Sequence, residues 1–109
     1  MRKILTLTFV ALLFFSSTCL AGMQIGYVAY VNSLTKNIIV VNDYGQYTAG
    51  KLWYALPMPC EGDKVVGDFY SLWQQDWYFV RLDKIHTATV DEARMSRSEA
   101  IDWIENNEH

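Results

Sequence analysis

Four consecutive β-branched residues, Ile38-Ile39-Val40-Val41, constrain this chain more than any other feature. Such a run is stiff at χ1 and fits a pleated strand far better than a helix. Because side chains alternate across a strand, Ile38 and Val40 face one way and Ile39 and Val41 the other. Both faces of this strand therefore need cover. One set must fill a sheet interior, and the other must meet a second layer.

The surrounding segments supply partners for such a strand. Ile25 to Val31 alternates, with Ile25, Tyr27, Ala29 and Val31 on one face. Asn32 to Lys36 reads as a loop. Asn42-Asp43-Tyr44-Gly45 is the best hairpin signal, since Asn and Asp tolerate turn geometry and Gly45 accepts positive φ. Gln46 to Leu56 is a third run, and Gly50 within it permits a bulge or sharp bend. Two prolines make the stretch from Pro57 to Asp63 irregular. Lys64 to Trp73 is a fourth run, Gln74-Gln75-Asp76 a short connection, and Trp77 to Leu82 a fifth run.

The period changes near the C-terminus. Ser96-Arg97-Ser98-Glu99 matches a capping box, and Ala100, Ile101, Trp103 and Ile104 follow at helical spacing. This stripe suits the uncovered face of the Ile38–Val41 strand. Glu105 and Glu108 oppose the helix dipole, so the helix end is expected to fray. Thr89-Val90-Asp91-Glu92 is a second capping-box match, expected to start a short turn over Ala93 to Met95.

The sequence therefore predicts a mainly β fold: a five-stranded antiparallel meander curled into a small barrel or roll, with one C-terminal α-helix. SH3-like and OB-like barrels are the architectural analogy. The expected organisation is a cleaved signal peptide at residues 1–21, a β-barrel or roll domain at 22–90, and an acidic helical segment at 91–109.

The first 21 residues carry the layout of a secretory leader. Met1-Arg2-Lys3 is a positive start, Ile4 to Phe15 is apolar apart from Thr6 and Thr8, and Cys19-Leu20-Ala21 closes with small residues at the cleavage positions. A retained membrane anchor and an acylated Cys19 are the competing readings, and the polar Ser16-Ser17-Thr18 fits neither well. Cleavage after Ala21 leaves 88 residues with seven basic and 12 acidic side chains. The expected location is periplasmic or secreted, with a bacterial source suggested by the short leader. The acidic balance leaves no electrostatic footprint for nucleic acid.

Removal of the leader leaves Cys60 as the sole cysteine, so no internal disulfide forms. Cys60 is either a sheltered thiol or the bridge of a homodimer. It is also the most enzyme-like residue, paired with His86 and a nearby Asp as a small cysteine-dependent hydrolase or redox centre. The neighbouring Glu61 and Asp63 disfavour a thiolate, and a loop Cys beside a solvated His is the plainer reading. Asp63 and Asp68 are five apart and point to opposite faces of a regular strand. The two histidines are too separated to form a zinc cluster, and no motif calls for a cofactor.

Aromatic residues are the strongest functional signal. Trp53, Tyr54, Tyr70, Trp73, Trp77 and Tyr78 crowd the third to fifth runs. Large rings with polar tips anchor interfaces and stack on planar ligands, but they also fill small cores. Adjacent pairs such as Trp53-Tyr54 and Trp77-Tyr78 point to opposite faces, so some rings must lie outside the barrel. The expected function is a small exported, non-catalytic binding protein that contacts a protein or cell-envelope component through these rings. The alternatives are the Cys60 enzyme and a structural envelope subunit.

Overall fold

The computed structural model of the chain describes residues 22–108, so the expected leader at 1–21 lies outside the described residues. Six strands form a closed antiparallel barrel: β1 (Gln24–Val31), β2 (Asn37–Asn42), β3 (Tyr47–Leu52), β4 (Lys64–Gly67), β5 (Trp73–Phe79) and β6 (Lys84–Met95). One helix, α1 (Arg97–Asn107), follows. The order around the barrel is β1-β2-β3-β6-β5-β4, with β4 closing onto β1. Two three-stranded meanders thus join through the β1–β4 and β3–β6 pairings.

The barrel class is as expected, with six strands in place of five. The extra strand is β6. Its start carries period-2 alternation, with His86, Ala88 and Val90 buried and Thr87 and Thr89 between them. The second capping-box match, Thr89 to Glu92, lies inside this strand and starts no helical turn. Gln74-Gln75-Asp76 likewise belongs to β5 and pairs with Ala88, Thr87 and Thr89 of β6. The expected fourth run breaks at Asp68, whose carboxylate accepts from the Tyr70 and Ser71 amides at 2.9 and 3.1 Å. Such local side-chain bonding competes with a strand ladder.

The two-faced strand behaves as its pattern demands. Ile38 and Val40 enter the barrel interior with Val28, Leu52, Val65, Phe69, Trp77, Phe79 and Val90. Ile39 points outward and packs with Ala49, Met95, Ala100 and Trp103 beneath α1. Burial of each such side chain contributes roughly 1.5–3 kcal/mol before conformational entropy is subtracted. Ile101 is exposed, so the docked stripe is Ala100, Trp103 and Ile104.

Gly50 sits where the backbone of β6 runs close against β3. A Cβ there would lie 2.6 Å from the Thr89 carbonyl oxygen. The expected bulge is on the partner strand: Ala49 pairs with Glu92 and Gly50 with Val90, leaving Asp91 as an extra residue. A second extra residue falls between Glu92 and Met95. Two bulges so close together bend β6 strongly and deliver the chain to the Ser96 cap. That capping box forms as expected, with the Ser96 side chain accepting from the Glu99 amide and the Glu99 carboxylate accepting from the Ser96 amide.

The helix end does not fray. The Glu108 carboxylate accepts from Tyr30 Oη and Asn32 Nδ2, each at 2.5 Å, from Thr35 Oγ1 at 2.8 Å, and from Asn37 Nδ2. Tertiary contacts with the β1–β2 loop thus override the unfavourable dipole. These bonds, led by that from Tyr30, hold the Glu108 carboxyl down at about 2.

Candidate functional site

The six aromatic residues singled out from sequence do not share a face. Trp77 is fully buried, with its indole N–H donating to the Asp68 carbonyl at 3.1 Å and its ring edge-on to Phe69 at 5.3 Å. It is a core residue and leaves the contact set, because alternation on β5 aims it and Phe79 into the barrel. Tyr78 points outward, and its hydroxyl donates to Asp83 at 2.7 Å, which raises its pKa. Tyr70 is half-buried; its hydroxyl donates to Gln46 at 2.5 Å, and the Arg94 guanidinium lies 4.0 Å above its ring.

Trp73 and Tyr54 are exposed. Alternation from Trp77 and Phe79 would carry Trp73 inward, but its φ of 70° breaks the pattern and leaves it 74% exposed. Positive φ is a genuine outlier for a bulky residue. Tyr54 follows β3 on the loop toward Pro57.

Trp53 is different, because it is exposed, anchored and beside a groove. Its amide donates to the Thr87 carbonyl at 2.9 Å, which extends the β3–β6 ladder past Leu52. Its indole N–H donates to Thr89 Oγ1 at 2.6 Å, which fixes the ring over β6 while 55% of the residue stays accessible. The adjacent groove has a volume of about 750 Å³, within the usual range for ligand sites.

Four elements build that groove. The β1–β2 loop contributes Leu34 and Lys36, β3 contributes Lys51, β6 contributes Thr89 and Asp91, and α1 contributes Trp103 and Asn107. Trp103 is buried and donates its indole N–H to Asp91 Oδ2 at 2.7 Å, which ties helix to strand. Lys36 has a φ of 69°, held by its amide on the Asn32 carbonyl and by the Leu52 amide on its own carbonyl, both at 2.8 Å. Sequence reasoning missed the polar members of this site. The available signal was Lys51-x-Trp53, two outward positions on one strand.

The Cys60 group is arranged differently from its sequence expectation. His86 is buried, not solvated; its Nε2 lies 3.1 Å from the Pro57 carbonyl oxygen, and its ring packs beside Phe79. Cys60 is exposed, and Arg81 Nη2 lies 3.5 Å from its Sγ. Arg81 also grips the buried Asp63 through Nε at 2.7 Å and Nη2 at 2.9 Å. That pairing holds the Asp63 carboxyl below its ordinary value. Among the described residues no group of three or more His, Cys, Asp or Glu side chains is placed to hold a metal ion. None of the described helices is long and apolar enough to cross a membrane.

A second outward feature lies elsewhere on the barrel. Pairing aligns Ile25 with Val66, Val66 with Tyr78, and Tyr78 with Ile85, giving an apolar row across β1, β4, β5 and β6. Ile25 and Ile85 are exposed.

Against known protein families, curated proteins and solved structures, the chain matches none.

Proposed function

We propose that this chain is a small exported binding protein, acting in the periplasm or outside the cell, that contacts a protein or cell-envelope component without catalysing a reaction. The observation that carries this reading is Trp53: a large ring, held by its bond to Thr89, at the rim of a groove lined by the exposed Leu34 together with Lys36, Lys51, Thr89 and Asp91. Pre-oriented aromatic anchors supply contact area at low entropic cost. Tyr54 extends the same exposed segment. The leader layout and the acidic mature chain support export and argue against nucleic acid as partner.

Affinity capture from an envelope extract with the purified protein tests this. The reading expects a retained envelope component that Trp53→Ala releases while the variant keeps its thermal melt. Equal capture by both forms, or none by either, overturns it.

The cysteine-enzyme reading draws its support from Arg81 beside the Cys60 thiol. Against it, the His86 ring nitrogen nearest the loop faces a main-chain carbonyl. Fast labelling of Cys60 by a thiol reagent near neutral pH would favour the enzyme. Size exclusion with and without reductant tests a Cys60-bridged homodimer or envelope subunit, since the thiol is exposed.

A further inference from the structure

α1 is docked on the barrel rather than woven into it. We infer that two copies of this chain exchange α1, each helix seating on the barrel of the other.

Three observations lead there. First, the barrel closes through its six strands alone, so α1 leaves without breaking a ladder hydrogen bond. The helix also carries its own start, because the Ser96–Glu99 capping box travels with it. Second, the occupant of the face beneath α1 is on view. Ile39, Ala49 and Met95 pack with Ala100, Trp103 and Ile104. The Trp103 indole N–H donates to Asp91 at 2.7 Å, and Asn37 Nδ2 donates to the Asn107 carbonyl at 3.2 Å. Glu108 closes the far end on Tyr30, Asn32, Thr35 and Asn37. Without α1 this surface would bare apolar side chains and the donors that fit its terminal carboxylate. The helix of a second copy brings the same groups to the same places, so the exchange is self-complementary.

Third, the hinge is short and strained. β6 runs from Ala88, opposite Leu52, to Met95, opposite Tyr47. α1 then returns along the barrel and brings Glu108 to Asn37, the partner of Lys51. Ser96 alone separates β6 from α1, so the chain reverses within one residue. Just before it, Arg94 holds a φ of 57°, a left-handed conformation that a Cβ disfavours. The Arg94 guanidinium, 4.0 Å from the Tyr70 ring centroid, helps to hold the corner. Short hinges under strain invite exchange, because the opened corner relieves in each chain what the closed one bears.

Size exclusion with light scattering of the purified protein tests the inference, with reductant present so that no Cys60 bridge contributes. A dimer that grows from micromolar to millimolar concentration is expected. Arg94→Gly, which removes the strain, should lower the dimer fraction several-fold, and Arg94→Lys, which keeps it, should not. A Gly-Ser-Gly insertion after Met95 lengthens the hinge and should return the chain to monomer. Cross-linking reads the arrangement directly. Asn37→Cys with Asn107→Cys, on a Cys60→Ser background, places a thiol on the barrel beside one on the helix. A short thiol cross-linker should join two chains in the dimer fraction and close one chain on itself in the monomer. A monomer at every concentration overturns the inference, as does a dimer whose cross-links stay within each chain. A dimer fraction indifferent to both Arg94→Gly and the insertion overturns it too.

Discussion

Tyr30 and Glu108 stand 78 positions apart in the chain and share a hydrogen bond of 2.5 Å. Tyr30 belongs to the first strand, and Glu108 caps the last helix. Their bond, with those from Asn32, Thr35 and Asn37, fastens α1 to the loop that forms the far wall of the groove.

Because these donors favour the ionised carboxylate, the Glu108 carboxyl titrates at about 2 rather than at its ordinary 4.5. A depressed folded-state value contributes stability that is present above pH 4.5 and lost as pH falls toward 2. Glu108→Gln is therefore expected to flatten the acid limb of the melting-temperature profile. Glu108→Ala should cost about 1–2 kcal/mol near neutral pH, the lower part of the range for bonds to a charged group because the site is partly solvated. Chemical denaturation across pH 2–6 of native protein and both variants checks this.

Trp53 and Trp77 separate contact from stability. Trp77→Ala removes a fully buried ring and its indole bond to Asp68, and should destabilise the barrel by about 3–5 kcal/mol. Trp53→Ala removes a half-exposed ring with one hydrogen bond, and should cost about 1 kcal/mol. Urea unfolding of the two variants, compared with their capture of an envelope component, checks the split. A Trp53 variant as unstable as the Trp77 variant would show Trp53 to be structural.

Lys36 is expected to trade stability for function. Its φ of 69° belongs to the left-handed region, where a side chain costs roughly 1–2 kcal/mol relative to glycine. Lys36→Gly should raise the melting temperature while weakening groove binding. A variant both less stable and weaker in binding would contradict the strain argument.

Arg81 secures the loop that carries Cys60. Its two bonds to Asp63 are the only salt bridge among the described residues, and the Asp63 side chain is 8% exposed. Arg81→Ala leaves that carboxylate with the Cys60 main-chain amide as its hydrogen-bond donor, and should lower the melting temperature. The loop should stay in place, since Gly62 donates to the Val28 carbonyl and Val28 to the Asp63 carbonyl. Proteolysis between Pro57 and Asp63 should therefore remain slow in the variant, and rapid nicking there would show that the side-chain pair alone holds the segment.

Much of the fold was legible because it rests on local pattern. The alternation of Ile38 to Val41 dictated two covered faces, and the structure covers both. The Ser96–Glu99 capping box located the start of the helix. β6 was hidden because the buried positions of its first half are a histidine, an alanine and a valine, and because two bulges interrupt its period where Thr89-Val90-Asp91-Glu92 imitates a helix start. The fate of Glu108 was not legible at all: the dipole argument is local, whereas its four donors come from residues more than 70 positions away.

The site was half legible. Composition drew attention to Trp53, and alternation showed that some rings must lie outside. Which rings could not be read, since Trp73 escapes the interior only through an unusual backbone angle, and Trp77 is fixed inward by a close approach. A Cβ at Gly67 would lie 2.4 Å from its ring, a fit visible only in three dimensions. The lysines and Thr89 come from distant segments that barrel closure brings together.

That closure has an evolutionary corollary. On the proposed binding reading, with the six strands of the described barrel already paired to one another, selectivity would reside in the side chains that decorate the outside. On that reading, substitutions at Lys51, Trp53 or Thr89 would redirect the choice of partner over generations while the scaffold beneath them stays as it is.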